Sequence, residues 1–219
     1  MTAALRAAIL AATDAVDAAR TELGELDGVA GDGDHGMTMS IAARNVRRRL
    51  PTLADDTSAA DLLRATGAAI AGVGGAIGPI YAGALGAAAG AIEAAPGAGA
   101  TSDVAALRGA AEAAEAAIVG LGHAAPGDKT VLDALHPLVE SLRDSEARGL
   151  PFAEALAAAA HAADEGVAAT ADMIARIGRA ARLGERSRGR PDAGARSFAV
   201  IVRALVDATD ASERSGGAG

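Results

Sequence analysis

Three aspartates interleaved with glycine form the sharpest chemical pattern in the chain. Asp27, Asp32 and Asp34 lie within the segment LDGVAGDGDHGMTM, next to His35. Carboxylates this close repel one another unless a cation lies among them. Oxygen ligands without sulfur favour Mg²⁺ or Ca²⁺, and Mg²⁺ held by few carboxylates usually also binds phosphate and water. The segment predicts a metal site that serves a phosphate or a nucleotide, with a solvated acidic turn as the alternative.

Three further glycine-rich loops carry backbone or cationic donors. GVGGAIGP (72–79) precedes a predicted helix N-terminus, where phosphate binds well, but taken alone the pattern favours a tight turn between two helices. GHAAPGDKT (122–130) has the glycine spacing of a P-loop, but Asp128 stands where a P-loop requires lysine. Residues 176–190, here called the arginine segment, predict an anion site, a docking surface or a solvated basic face. Its six arginines are Arg176, Arg179, Arg182, Arg186, Arg188 and Arg190.

The composition restricts the function classes that can apply. The 219 residues are 51% hydrophobic but only 1% aromatic, so alanine supplies most of the apolar mass and favours helices over strands. A net charge of −8 and few stacking aromatics argue against nucleic acid as a partner. The absence of cysteine excludes a disulfide scaffold, a thiol nucleophile and cysteine-bound zinc. We expect a cytoplasmic protein.

Glycine and proline divide the chain into helical blocks of ordinary length. Ser58 followed by Asp61 predicts a capping box at one helix start, and Pro79 and Pro151 suit the first turns of two others. The charge-free stretch between Arg64 and Glu93 is long enough to cross a membrane, but its glycine and alanine content predicts two close-packed helices and no membrane partner. We expect one all-α domain over 1–210 and a disordered tail over 211–219. Helices are predicted over 3–23, 37–50, 58–71, 79–95, 103–119, 128–148, 151–169, 173–183 and 196–208.

Taken together, the four loops resemble the nucleotide-binding L subunit of dihydroxyacetone kinase over nearly the whole chain. GDGDHG, VGGAxGP, PGDKTxxDAL and GRAxxLGERSxGxxDxGA stand in the order of that family. The resemblance implies a single-domain, eight-helix antiparallel barrel with ADP or ATP at one end. It also implies two Mg²⁺ ions between the phosphates and Asp27, Asp32 and Asp34. The implied nucleotide contacts are His35, Gly36, Met37, Thr38, Ala76, Ile77, Gly122, Val131, Arg179, Asp192, Ala193 and Gly194.

The sequence departs from the family pattern at three of these contacts. Ile77 stands where the family usually has serine, which removes a hydroxyl near the phosphates. Val131 replaces a frequent methionine, and Ala193 replaces the proline of the family's DPG motif. No departure affects a metal ligand, but the change at Ile77 bears on the details of substrate chemistry.

The implied reaction is phosphoryl transfer, in which positioning and charge neutralisation matter more than covalent chemistry. His35 and Arg179 would position phosphate, and the chain supplies no clear catalytic residue of its own. In the version that uses a phosphotransferase system, bound ADP accepts phosphate from a phosphohistidine donor protein and passes it to dihydroxyacetone on a separate K subunit. The end of the chain after one domain favours this version. We also expect a homodimer or a hetero-complex.

Three alternatives to that function remain open. The chain could be a subunit of an ATP-dependent kinase for a related short ketose. It could be a non-catalytic nucleotide sensor that a transcription regulator reads. It could also be a helical scaffold that binds no nucleotide.

Overall fold

The chain folds into α-helices joined by short connections. A computed structural model describes residues 2–95 and 103–216, and within these ranges it contains nine α-helices, three 3₁₀ helices and no strand. The all-α prediction is confirmed. The 3₁₀ helices are Leu50–Thr52, Thr170–Asp172 and Ala180–Ser187. The α-helices are α1 (Thr2–Ala18), α2 (Arg20–Ala30), α3 (His35–Arg49), α4 (Ala59–Ile70), α5 (Ile77–Ala94), α6 (Asp103–Gly122), α7 (Leu132–Ala147), α8 (Phe152–Ala169) and α9 (Ala193–Gly216).

The helices form a closed ring. From α3 to α9 each packs against the next, α1 packs against α3, and α9 returns to α1. Helices α1 and α2 are nearly continuous, because hydrogen bonds from Ala19 N to Ala15 O and from Leu23 N to Ala19 O bridge the break. Counted as one helix, they give the eight-helix antiparallel barrel that the resemblance implied.

Small residues let neighbouring helices approach closely. Ala155, Ala159 and Ala163 are fully buried on α8, against α7 and α9. Gly166 lies so near α7 that a Cβ there would be 2.1 Å from the backbone oxygen of Asp133. The close contact brings α8 against the start of α7, next to the loop that precedes it.

Several predicted helix ends agree with the structure. The Ser58 hydroxyl accepts a hydrogen bond from Asp61 N at 3.1 Å, which confirms the predicted cap of α4. Pro151 precedes α8 directly, and Pro79 lies in the first turn of α5 as predicted. The charge-free stretch forms α4 and α5, which pack together; α5 is long and apolar enough by composition alone to pass as a membrane span.

Other helix predictions were wrong, and these differences reshape the site. Helix α2 continues to Ala30 instead of ending near Gly24, so Asp27 lies in its last turn. Helix α7 begins at Leu132 instead of Asp128, whose side chain accepts a hydrogen bond from Ala125 N within the loop. The helix predicted over 173–183 is absent, and its residues form turns and part of a 3₁₀ helix with a kink at Gly184 (φ 51°).

The last helix is longer than predicted at both ends. It begins at Ala193, because the Asp192 carboxylate caps it by accepting a hydrogen bond from Ala195 N at 2.7 Å. It continues to Gly216, through most of the segment predicted as a disordered tail, and residues 217–219 lie outside the described part of the chain.

Candidate functional site

The three predicted metal ligands meet at one end of the barrel. Asp27 belongs to the last turn of α2, Asp32 lies in the short loop between α2 and α3, and Asp34 directly precedes α3. One carboxylate oxygen from each lies within 4.8 Å of the others. The C-terminus of α2 adds a partial negative charge to the same place. This all-oxygen donor set fits a hard divalent cation such as Mg²⁺.

The guanidinium of Arg179 lies against two of these carboxylates. It forms an ion pair with Asp32 and a longer one with Asp34, at 3.4 Å. All three side chains are half exposed, so the pairs contribute little to folding stability. The arrangement brings the arginine segment to the mouth of the site, where Arg179 could pair with a phosphate as readily as with a carboxylate.

His35 contacts the acidic cluster through its backbone and points its ring into the protein. Its amide donates to Asp27 Oδ2 at 3.3 Å, while its Nε2 lies 3.0 Å from the Ser197 hydroxyl. The Ser197 hydroxyl donates to the Gly194 carbonyl at 3.0 Å, and the Tyr81 hydroxyl lies 3.4 Å from the Ser197 hydroxyl oxygen. With the ring proton on Nε2, Ser197 can accept from both His35 and Tyr81 while it donates to Gly194. Burial lowers the pKa of His35 and favours this neutral ring.

A cavity of about 280 Å³ adjoins the acidic cluster, with Asp27 and Arg179 in its wall. Its walls come from the end of α2, the start of α5, the loop before α7 and the arginine segment, and they are mainly apolar. Ile80 and Ile177 contribute to these walls, which suit an aromatic base more than a bare phosphate. The predicted site residues that line it are Asp27, His35, Ala76, Ile77, Val131, Arg179, Asp192, Ala193 and Gly194.

The remaining predicted nucleotide contacts lie outside the cavity wall. Gly36 is buried against α2, where a Cβ would come within 2.0 Å of the Arg20 carbonyl oxygen. Met37 is 48% exposed and Thr38 is partly exposed, both in the first turn of α3. Gly122 ends α6 and is not among the residues that line the cavity.

Asp192 lies at the far side of the cavity in a buried setting. Its backbone N–H donates to the Thr170 hydroxyl at 2.9 Å, and its carboxylate caps α9. A helix N-terminus favours a negative charge, but burial outweighs that effect and raises the pKa of Asp192 to about 6. The carboxylate therefore changes charge close to neutral pH.

The loop before α7 is held by a second buried carboxylate. Asp133 accepts hydrogen bonds from the amides of Gly127 and Thr130, the latter at 2.7 Å. These bonds order residues 127–130 and set Val131 in the cavity wall. Sequence reasoning had not singled out Asp133, Ser197, Tyr81 or Lys129. The available signals were that the motif PGDKTxxDAL contains Lys129 and Asp133, and that the sequence has one tyrosine and one lysine.

Comparison with known proteins places the chain in a family. Residues 29–207 match the DAK2 domain family. The ADP-binding subunit DhaL of the PEP-dependent dihydroxyacetone kinase from Escherichia coli is 37% identical over 182 residues, which cover 83% of this chain and 84% of that protein. A D-erythrulose kinase from Mycolicibacterium smegmatis is 42% identical over 90% of this chain, which spans about a third (34%) of that longer protein.

A solved structure shares the same architecture. The dihydroxyacetone kinase from C. freundii in complex with AMP-PNP and Mg²⁺ superimposes with a TM-score of 0.71 and 27% identity, over 94% of this chain and 34% of that one. The sequence match, the shared fold and the clustered aspartates agree with one another. The chain therefore belongs to the DAK2 domain family and resembles the ADP-binding subunits of dihydroxyacetone kinases over most of its length.

Proposed function

We propose that the chain is the nucleotide-binding phosphotransfer subunit of a cytoplasmic dihydroxyacetone kinase. In this proposal Mg-ADP stays bound as a coenzyme, accepts phosphate from a phosphohistidine donor protein and passes it to dihydroxyacetone on a separate K subunit. The observation that carries this proposal is that Asp27 belongs both to a cluster of three carboxylates and to the wall of a cavity lined by most of the expected nucleotide contacts. The two ADP-binding subunits from Escherichia coli and Listeria innocua, 37% and 36% identical, support it.

Each group in the site has a distinct part in this reaction. Asp27, Asp32 and Asp34 would hold Mg²⁺, which when bound neutralises charge on the phosphates. Arg179 would orient the terminal phosphate, because its guanidinium already lies at these carboxylates. The apolar walls, with Val131 among them, would hold the base and exclude water. No described side chain is placed as a covalent nucleophile, so the chain acts by positioning.

A second candidate is a subunit or domain of an ATP-dependent kinase for a short ketose such as erythrulose. Three erythrulose kinases are 42%, 40% and 38% identical to this chain over most of its length, slightly above the ADP-binding subunits. The chain spans about a third of each of those proteins, so their substrates and donors are not carried over directly. Both candidates use the same nucleotide site and differ in the phosphoryl donor and the sugar.

The test begins with the nucleotide. We expect protein purified in Mg²⁺ to release ADP or ATP on denaturation, identified by mass spectrometry, and the stripped chain to rebind ADP only with Mg²⁺. Asp34→Asn keeps the shape of the side chain, removes its charge and should abolish rebinding. A wild-type chain that binds no nucleotide in Mg²⁺ contradicts the proposal and favours a helical scaffold.

The second stage separates the candidate reactions. The chain is mixed with a dihydroxyacetone-binding K subunit and given either a phosphohistidine donor protein or free ATP, with dihydroxyacetone or erythrulose as acceptor. We expect turnover with the protein donor and dihydroxyacetone, and no turnover by the chain alone. Turnover only with ATP and erythrulose supports the second candidate. Nucleotide binding without sugar phosphorylation under any condition supports a sensor that a transcription regulator reads.

A further inference from the structure

Lys129 is the only lysine among twenty cationic residues, the other nineteen being arginine. It is 5% exposed, unlike the arginines of the nearby arginine segment, and it adopts a left-handed backbone conformation with φ 62°. Few residues other than glycine adopt this conformation without support from their surroundings. A buried lone lysine on a strained backbone calls for an explanation that the nucleotide contacts do not provide.

The ammonium group of Lys129 is enclosed by three backbone carbonyls. Nζ donates to Ser187 O at 2.6 Å, to Arg190 O at 2.7 Å and to Met173 O at 3.4 Å. An ammonium has three N–H donors and no acceptor, so three converging carbonyls match it. A planar guanidinium presents its donors in a flat fork and does not fit a convergent set as well. The site therefore explains why a lysine stands here in a chain that otherwise uses arginine.

These three carbonyls belong to the two ends of one stretch of chain. Met173 lies just before the arginine segment, and Ser187 and Arg190 lie at its end. Nothing in this stretch forms an α-helix, so its shape depends on such contacts. One side chain thus joins both ends of the loop that carries Arg179. A backbone bond from Arg176 N to Asp128 O at 3.2 Å ties the loop to the residue next to Lys129.

The direction of the lysine is set by the loop before α7. Asp133 accepts hydrogen bonds from the amides on either side of Lys129, those of Gly127 and Thr130. This support maintains the left-handed conformation and directs the side chain inward. Burial is the main influence on the pKa of Lys129 and lowers it, while Asp192 opposes that change.

We propose that Lys129 is a positioning residue that holds the arginine segment closed against the cavity and thereby places Arg179 at the carboxylates of Asp32 and Asp34. Between the two fastened ends lie Ile177, Gly178 and Arg179, all part of the cavity wall. That Lys129 holds the two ends of the segment together follows from its hydrogen bonds to the three carbonyls. The expected effect on ADP affinity rests on the proposed function. Loss of the ammonium should release the segment while the helices remain.

Cysteine chemistry provides a specific test, because the chain has no cysteine. Lys129→Cys, alkylated with 2-bromoethylamine while unfolded and then refolded, regains an ammonium at nearly the same distance from the backbone. Lys129→Met and unmodified Lys129→Cys lack the charge. Wild-type protein taken through the same alkylation and refolding is the matched control. Far-UV circular dichroism reports whether the helices persist.

Two measurements follow the segment and the nucleotide separately. Limited trypsin digestion, read by mass spectrometry, reports opening because the segment contains six arginines. In nucleotide-free protein we expect cleavage there to be at least tenfold faster for Lys129→Met and unmodified Lys129→Cys. The affinity for Mg-ADP, measured by calorimetry, should fall at least tenfold. Aminoethylation should restore both to within about threefold of wild type.

The outcomes separate this inference from the proposed function. Unchanged cleavage in folded Lys129→Met, or no recovery after aminoethylation, overturns the positioning role. If the wild type binds no ADP but the Lys129 variants are cleaved faster as expected, the proposed function is wrong. The role of Lys129 in holding the arginine segment is then still supported.

If no variant folds, acetylation of the wild-type lone lysine replaces them. We expect Lys129 to react more slowly than the terminal amine, and acetylated molecules to be cleaved faster in the segment. Fast acetylation of Lys129 without a change in cleavage overturns the proposal.

Discussion

The Nε2 atom of His35 lies 3.0 Å from the hydroxyl of Ser197, across 162 positions of sequence. This contact joins the first turn of α3, which follows the acidic cluster, to the early turns of α9, which border the cavity. The Tyr81 hydroxyl on α5 lies near the same oxygen. One serine therefore links three helices that surround the site, and it fixes the direction of the histidine beside the metal ligands.

Ser197→Ala should loosen this junction. Ser197 is fully buried, so its loss leaves the His35 ring and the Tyr81 hydroxyl without this hydrogen-bond partner, at a cost of about 1–3 kcal/mol in the free energy of unfolding. We expect weaker ADP binding as well, because the backbone N–H of His35 donates to Asp27, one of the proposed metal ligands. Urea unfolding and calorimetry check both. Tyr81→Phe removes only one donor and should have the smaller effect; equal stability and affinity for Ser197→Ala and wild type would contradict the role.

Asp32→Ala and Asp34→Ala should each abolish ADP retention in Mg²⁺ without loss of the fold. Both side chains are at least half exposed, so we expect stability to change by no more than about 0.5 kcal/mol. Asp14→Ala is a suitable control, because Asp14 is an exposed aspartate paired with an arginine far from the cavity. Retention is measured by calorimetry and the fold by circular dichroism. Undiminished ADP binding by both variants would rule out the assigned metal site.

Arg186 and Arg188 are expected to contact the partner proteins and not the nucleotide. Both are exposed and neither lines the cavity. We expected Arg190 to face outward with them, and it is exposed, but it also borders the cavity. Arg186→Ala with Arg188→Ala should keep ADP affinity within a few-fold and reduce coupled phosphotransfer at least tenfold, about 1.4 kcal/mol. Arg44→Ala with Arg48→Ala removes two exposed arginines from α3 and serves as the control. A parallel loss of ADP affinity would instead indicate a lid over the nucleotide.

Asp192→Asn should make stability less dependent on pH. The ordinary pKa of aspartate is 3.8 and burial raises that of Asp192 to about 6, so the folded state binds more protons between these values. The contribution of Asp192 to the free energy of unfolding therefore falls as pH rises through this window, and an asparagine makes no such pH-dependent contribution. The compared quantity is the free energy of unfolding of Asp192→Asn minus that of the wild type. We expect this difference to be more favourable to the variant at pH 7 than at pH 4, by on the order of 1–3 kcal/mol. Urea unfolding of nucleotide-free protein at both pH values checks this, and a constant difference would contradict it.

Local pattern was sufficient for the all-α class, for several helix starts and for the identity of the acidic cluster. Alanine content predicted an all-α chain, and Ser58, Pro79 and Pro151 marked helix starts that the structure confirms. Three aspartates within eight residues predicted a shared cation site, because carboxylates so close in sequence lie near one another and repel whatever the rest of the fold. Such signals survive folding because they act between near neighbours in sequence.

Tertiary packing decided the parts of the site that depend on distant residues. Local pattern predicted a helix over 173–183, but the carbonyls of Met173, Ser187 and Arg190 converge on Lys129, more than forty positions away. The ring of His35 points inward to within hydrogen-bond distance of Ser197, a partner that no motif indicates. The helix propensity and the charge of a residue can be read from the local sequence. Its burial and its partners arise only when the ring of helices closes and brings distant segments together.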